Sequence, residues 1–124
     1  MKNIIWVYIA IVVAVLGGLV WLMNRPTPPN VLDSFAQCIS DTGTKYYGAF
    51  WCPNCKNQNA MFGSAKAYLP YIECSTPDGK SQTKECTEAG VQAYPTWVFP
   101  DGEKETGTLS LPYLSERTAC QLPQ

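Results

Sequence analysis

The chain has no histidine. That excludes every mechanism using imidazole as base, proton shuttle or ligand, Ser-His-Asp and Cys-His catalysis among them. Charge is scarce as well: charged residues make up 15% of the 124 positions and the formal net charge is −1. Nothing here makes the basic patch that draws a protein to nucleic acid. From Asn30 onward seven Lys and Arg stand against ten Asp and Glu, a mildly acidic balance.

Charge is missing altogether from Ile4 to Met23, IIWVYIAIVVAVLGGLVWLM. As a helix these residues would reach about 30 Å, the thickness of a bilayer's hydrocarbon core. Trp6, Tyr8 and Trp21 fall near the ends, where amphipathic rings favour the interface. A cleaved signal peptide is the competing reading; its apolar region is normally shorter, and no clear small-x-small site follows. A buried core helix fits poorly beside Asn24-Arg25-Pro26-Thr27-Pro28-Pro29-Asn30, which reads as a short, stiff, extended linker. The expected organisation is a transmembrane anchor over 1–23, a Pro-rich linker over 24–30 and one small domain over 31–124.

What the chain does have is six cysteines, all beyond Met23. An even count behind a membrane-targeting segment suggests an oxidising compartment and at least one structural disulfide. It favours a single-pass membrane protein with its domain on the extracytoplasmic side. Two of the six, in Trp51-Cys52-Pro53-Asn54-Cys55, are separated by two residues at the start of an expected helix, a dithiol that can cycle with a disulfide. A zinc site would need a second close ligand pair, and Cys74 and Cys86 are too far apart. A structural disulfide within the motif is the other reading. No metal is expected, and no bound cofactor, because the protein thiols would carry the chemistry.

The rest of the domain reads as alternating elements. Val31, Leu32, Phe35, Ala36 and Ile39 recur at helical spacing up to Asp41-Thr42-Gly43. Lys45 to Trp51 is β-prone and mostly apolar. Pro53 suits a first helical turn, and that helix continues to Met61 and Phe62 before Gly63 and a second stretch, Ser64 to Leu69. Tyr71 to Cys74 is a short strand, Ser75 to Lys80 a turn-rich loop, and Gln82 to Ala89 a short helix. Thr96 to Phe99 and Glu103 to Thr106 form a hairpin about Pro100-Asp101-Gly102. Ser110 caps a last helix running to Ala119. Strand, helix, strand, helix and hairpin, with a Cys-x-x-Cys motif beside the βαβ pattern, give an α/β thioredoxin-like fold: a central mixed sheet of about four strands flanked by helices, after one transmembrane helix.

The stretches YYGAFWCPNC, YIEC, QTKECTEAGVQAYPTW and GTLSLPYL cover most of Phe35 to Leu114. In them the chain resembles the thioredoxin-like domains fused or partnered to bacterial and plant homologues of vitamin K epoxide reductase (VKOR). The resemblance implies a protein thiol–disulfide oxidoreductase that oxidises exported proteins and passes electrons to a quinone-linked membrane enzyme. One apolar segment is too few for such a four-helix enzyme, so the form implied is the separate, anchored partner. The family commonly has CPHC where this chain has CPNC, so Asn54 removes one charge that would stabilise a thiolate. Ordinary thioredoxins have a buried Asp six positions before the first cysteine, where this chain has Tyr46.

Cys52 is the expected nucleophile: at a helix start its sulfur meets free N–H groups and the positive end of the macrodipole. Cys55, one turn further in, would resolve the mixed disulfide. Pro53 and Asn54 would tune the potential. The resemblance implies a cis Pro95, which would leave the Tyr94 backbone free to pair with an extended substrate; otherwise Pro95 is a proline opening a strand. Trp51 and Tyr94 are expected on the rim of a peptide groove, or else in the core. Cys74 and Cys86 bracket the turn-rich loop and could bridge it, stand as buried thiols, or supply a shuttle cysteine. Cys38 and Cys120 could staple the two ends of the domain or be small buried residues. Lys56, Lys66, Glu103 and Glu105 are expected on a solvated face. Two further functions stay open: the same fold run as a reductase fed by a transmembrane donor, and a non-catalytic thioredoxin-like binding module.

Overall fold

The structure, a computed structural model, describes residues 1–25 and 29–124, Lys2 by its backbone alone. Pro26, Thr27 and Pro28 of the expected linker lie outside the described residues. Helix α1 (Lys2–Met23) contains a 21-residue apolar segment, Asn3–Met23, whose most apolar 18 residues have a mean hydropathy of 2.6 and are not buried in the protein. It is long and apolar enough to cross a membrane.

After α1 come α2 (Asp33–Asp41), β1 (Lys45–Gly48), α3 (Pro53–Phe62), a 3-10 helix (Gly63–Tyr68), β2 (Tyr71–Glu73), α4 (Lys84–Glu88), β3 (Thr96–Val98), β4 (Lys104–Thr106) and α5 (Leu111–Thr118). The four strands make one sheet in the order β2-β1-β3-β4. β1 and β2 are parallel and joined through α3, while β3 lies antiparallel to both β1 and β4. This mixed sheet flanked by helices is a thioredoxin-like fold.

The sheet divides the core by the two-residue period of a strand. Tyr46 on β1 is in register with Tyr71 on β2 and with Trp97 on β3, so the three rings form a row across one face. Tyr46 stacks on Trp97 at 4.4 Å between centroids and meets Tyr71 edge-on at 5.1 Å. Phe35 and Ile39 of α2, Phe62 of α3 and Leu114 of α5 close over that row. Fully burying each such side chain contributes roughly 1.5–3 kcal/mol. Tyr47, one residue on, points to the other face and packs with Cys74, Cys86 and Val91.

Three local outcomes differ from the sequence reading. The first strand was expected to reach Trp51 but ends at Gly48, whose carbonyl accepts from Cys74 N; a turn closed by Cys52 N on Ala49 O then lifts Ala49, Phe50 and Trp51 off the sheet. The short helix starts at Lys84 rather than Gln82, because Gln82 is held in an isolated bridge to Ser75 while its amide donates to Val91 O and Tyr94 Oη. Glu105, expected on a solvated face, is half-buried against Arg117 at 3.3 Å, whose guanidinium lies over the Phe99 ring and also pairs with Asp101 and with Glu103, which is exposed as expected.

Asn30 fastens the start of the domain. Its amide nitrogen donates to Phe62 O and Ser64 Oγ, and its Oδ1 accepts from Leu32 N. The end of the chain is tied back by the Cys38–Cys120 disulfide, whose Cα atoms are 5.8 Å apart across a separation of 82 residues.

Candidate active site

Helix α3 begins where the turn after β1 leaves the sheet, and Cys52 is its N-cap, with extended backbone (φ −75°, ψ 121°). Pro53 fills the first helical turn, where its missing N–H costs nothing. The Cys52 Sγ takes the capping role itself and accepts from Cys55 N at 3.3 Å. A sulfur in that place also receives the positive end of the α3 dipole.

Across from it runs the segment before β3. The Tyr94–Pro95 peptide bond is cis and Pro95 is fully buried. The Tyr94 carbonyl points at the dithiol and accepts from the Cys52 thiol at 3.6 Å. The loop after β4 closes the third side: Gln58 of α3, fully buried, donates to Leu109 O at 3.0 Å and accepts from Leu109 N at 2.7 Å, and Thr108 donates to Asn54 O. Gln58 thereby pairs α3 to this segment as a strand neighbour would. It is a positioning residue that the sequence reading did not single out.

Cys52 and Cys55 are the two free cysteines among the described residues, 5% and 2% exposed. Burial, first, and the contact with Cys52 push the Cys55 thiol up to about 12. The other four cysteines are bonded. Cys74–Cys86, with Cα atoms 5.5 Å apart, joins the end of β2 to α4 and holds both ends of the intervening loop. That loop returns over the site: a Cβ at Gly79 would sit 3.7 Å from Trp51 Cδ1 and 3.8 Å from Phe50 Cζ.

Trp51 is 47% exposed, donates from Nε1 to Ser75 Oγ at 2.9 Å and meets Tyr94 edge-to-face at 5.9 Å. Phe50, beside it, is 53% exposed. The two rings make an apolar rim next to Cys52. Phe50 belongs to the β-prone run from Lys45 to Trp51, and the turn after Gly48 turns it outward.

Position 46, where an acid would sit in ordinary thioredoxins, holds a phenol that donates to Cys55 O at 3.3 Å and Asn59 Oδ1 at 3.1 Å. Burial raises the Tyr46 phenol far above its ordinary range, with the two cysteine sulfurs adding to the effect. The carboxylate of the neighbourhood is on β2. Glu73 accepts from Phe50 N and Ser75 N through Oε1, and from the Tyr71 hydroxyl at 2.8 Å through Oε2. Sequence reading placed Glu73 in the strand without a role; its register opposite Gly48 is what brings it here.

Among the described residues no group of three or more His, Cys, Asp or Glu side chains gathers as a metal site would require. The arrangement can perform thiol–disulfide exchange: a sulfur capped by the Cys55 N–H, a second thiol one turn behind it, and a backbone carbonyl and apolar rim alongside.

No family model matches the chain. It is 38% identical over 96 residues to a protein of Arabidopsis thaliana named "Thiol-disulfide oxidoreductase LTO1". The match takes in 73% of this chain and 25% of that protein, so the chain spans about a quarter of the length of the curated relative it matches.

Proposed function

We propose that the chain is a membrane-anchored protein thiol–disulfide oxidoreductase that oxidises thiols of exported proteins. The observation that carries the reading is the placement of Cys52: N-cap of α3, its sulfur accepting from Cys55 N, 3.6 Å from the carbonyl before a cis-proline. The 38% identity to a protein named as a thiol-disulfide oxidoreductase supports the same chemistry.

In this reading a substrate thiolate attacks Cys52 Sγ of the Cys52–Cys55 disulfide, and Cys55 leaves. A second substrate thiolate displaces Cys52, so the substrate gains a disulfide and the protein two thiols. Tyr94 O and the Trp51–Phe50 rim would hold an extended segment of the substrate. The dithiol then reduces a disulfide of a VKOR-like, quinone-linked membrane partner; the VKOR resemblance of the sequence carries that step. Helix α1 keeps the domain at the membrane, and two formed disulfides among the remaining cysteines support an oxidising, extracytoplasmic location.

The reductase reading shares every atom of this site and differs in potential alone. Asn54 favours it, because a neutral residue inside the motif stabilises a thiolate less than a cation would. The test is oxidation of a reduced, unfolded exported protein by the full chain in detergent. Oxidation at a rate far above air oxidation is expected. Reduction of insulin disulfides without any oxidase activity would favour the reductase, and neither activity would leave a binding module.

A further inference from the structure

Cys55 has to release and regain a proton in every cycle, and it does so in a buried place. A thiol at 2% exposure exchanges protons with bulk water only slowly by itself. The titratable groups facing it are Cys52 on its own helix, Tyr46 on β1, and Tyr71 and Glu73 on β2. Cys52 is the reaction partner. Tyr46 leads nowhere, because its hydroxyl donates to a backbone carbonyl and an amide oxygen, neither of which takes up a proton.

β2 is different. Gly48 has no side chain, and the gap is filled from both sides: the Cys55 Sγ and the Tyr71 hydroxyl oxygen each lie 3.2 Å from the point a Cβ on Gly48 would occupy. The two atoms are therefore no farther apart than twice that distance. The Tyr71 hydroxyl donates onward to Glu73 Oε2 at 2.8 Å, and Glu73 is only half-buried. A thiol, a hydroxyl and a carboxylate thus lie in sequence from the buried sulfur toward the surface, the hydroxyl bonded to the carboxylate and the sulfur close enough to the hydroxyl for one water to bridge them.

We propose that Tyr71 and Glu73 are the proton outlet of Cys55, with Glu73 as the base acting through the Tyr71 hydroxyl. The inference rests on the redox reading of the Cys52–Cys55 pair. In the oxidation of the dithiol, Cys52 thiolate attacks a partner disulfide, and one partner thiolate leaves. Cys55 then gives its proton, by way of such a water, to the Tyr71 oxygen as Tyr71 passes its own to Glu73. The Cys55 thiolate attacks Cys52 Sγ, the Cys52–partner bond breaks, and the second partner thiolate leaves. Two electrons have moved to the partner disulfide, and the Cys55 proton reaches solvent from Glu73. Run backwards, the same line protonates Cys55 when it leaves the disulfide.

The test uses the full chain in detergent, Cys52 and Cys55 reduced and the other two bridges intact, mixed with dithiobis(nitrobenzoate). One coloured thiolate is released when Cys52 attacks, and a second when Cys55 displaces the first mixed disulfide. Tyr71→Phe keeps the ring against Tyr46 and removes the hydroxyl; Glu73→Gln keeps an oxygen for Phe50 N and Ser75 N and removes the charge. The expected result is a second phase slowed about 100-fold near neutral pH in both, the typical worth of a side-chain base. The deficit should close as pH rises, since hydroxide then takes the proton, and Glu73→Asp should recover part of the rate. A second phase at the wild-type rate in Tyr71→Phe overturns the inference. So does equal slowing at every pH, which is the mark of a structural defect. Absence of a second phase in the wild type overturns the redox reading itself. If Glu73→Gln does not fold, Tyr71→Phe, measured at neutral and at alkaline pH, decides.

Discussion

The Cys52 sulfur faces the Tyr94 carbonyl oxygen at 3.6 Å across the cis bond to Pro95. A chain running past Cys52 therefore finds a backbone carbonyl beside the sulfur, engaged among the described residues by the Cys52 thiol alone, and no N–H from the proline. The pair of residues is 42 positions apart in sequence, and the sheet brings them together because β1 and β3 are neighbours.

The two cysteines should separate cleanly by mutation. Cys55→Ser should accumulate a covalent complex with substrate through Cys52, because nothing resolves it. Cys52→Ser should form none and should lose at least about 1000-fold in turnover, roughly 4 kcal/mol of barrier. Non-reducing electrophoresis of both variants with a reduced, unfolded exported protein reads the difference.

Gly48 should tolerate no side chain. A Cβ there would lie 2.6 Å from Tyr71 Cε2 and 3.2 Å from the Cys55 sulfur, and the ring is pinned between Tyr46 and Glu73. Gly48→Ala should cost about 1–3 kcal/mol as overpacking. Thermal unfolding of the full chain in detergent checks it, with a fall of several degrees expected.

Stability of the reduced form should depend on alkaline pH through Cys55. Its thiol is raised from the ordinary 9.0 to about 12 by burial and by Cys52. Between those values the unfolded chain has released the proton and the folded chain still holds it, so stability is complete below the lower value and falls as pH rises toward the upper one. Reduced wild type should therefore lose stability across that window more steeply than Cys55→Ala. The comparison is of unfolding midpoints at several alkaline pH values, and parallel curves would refute it.

The two structural bridges should differ in worth. Cys38–Cys120 closes 82 residues and Cys74–Cys86 closes 12. Loop-closure entropy gives roughly 4–5 kcal/mol for the first and about 3 kcal/mol for the second. The double variant Cys38→Ala, Cys120→Ala should accordingly lower the melting temperature more. Cys74→Ala, Cys86→Ala should instead release the loop at Gly79 from Phe50 and Trp51, and so weaken substrate binding more than its stability cost suggests.

The rim should matter for proteins and not for small disulfides. Trp51→Ala, losing both the Tyr94 contact and the bond to Ser75, should raise KM for a protein substrate about tenfold, near 1.4 kcal/mol. The rate with dithiobis(nitrobenzoate) should stay within about twofold of wild type, well under 1.4 kcal/mol.

The element order was legible because each element carries a local signal: helical spacing in Phe35, Ala36 and Ile39, β-prone residues at Tyr46 and Tyr47, Pro53 at a helix start, Ser110 as a cap. The dithiol was legible for the same reason, since two residues between cysteines is a local fact. What stayed hidden depends on register and on turns. Phe50 looks like strand until the turn after Gly48 swings it out. Glu73 acquires its partners only from the parallel pairing of β1 with β2. Gln58 reads as a polar helix residue until Leu109 arrives from 51 positions away. Glu105 looks solvated because Arg117 is on another element.

The central claim is that Cys52 and Cys55 form a reversible, oxidising redox pair. Its most direct test is the reduction potential of that pair in the full chain in detergent, equilibrated in graded glutathione and dithiothreitol buffers and followed by mass after alkylation. One two-electron transition is expected well above thioredoxin's value of about −270 mV, with Cys38, Cys74, Cys86 and Cys120 still bonded throughout it. A transition at or below that value would contradict the oxidising direction, and a pair that never closes would contradict the redox function itself.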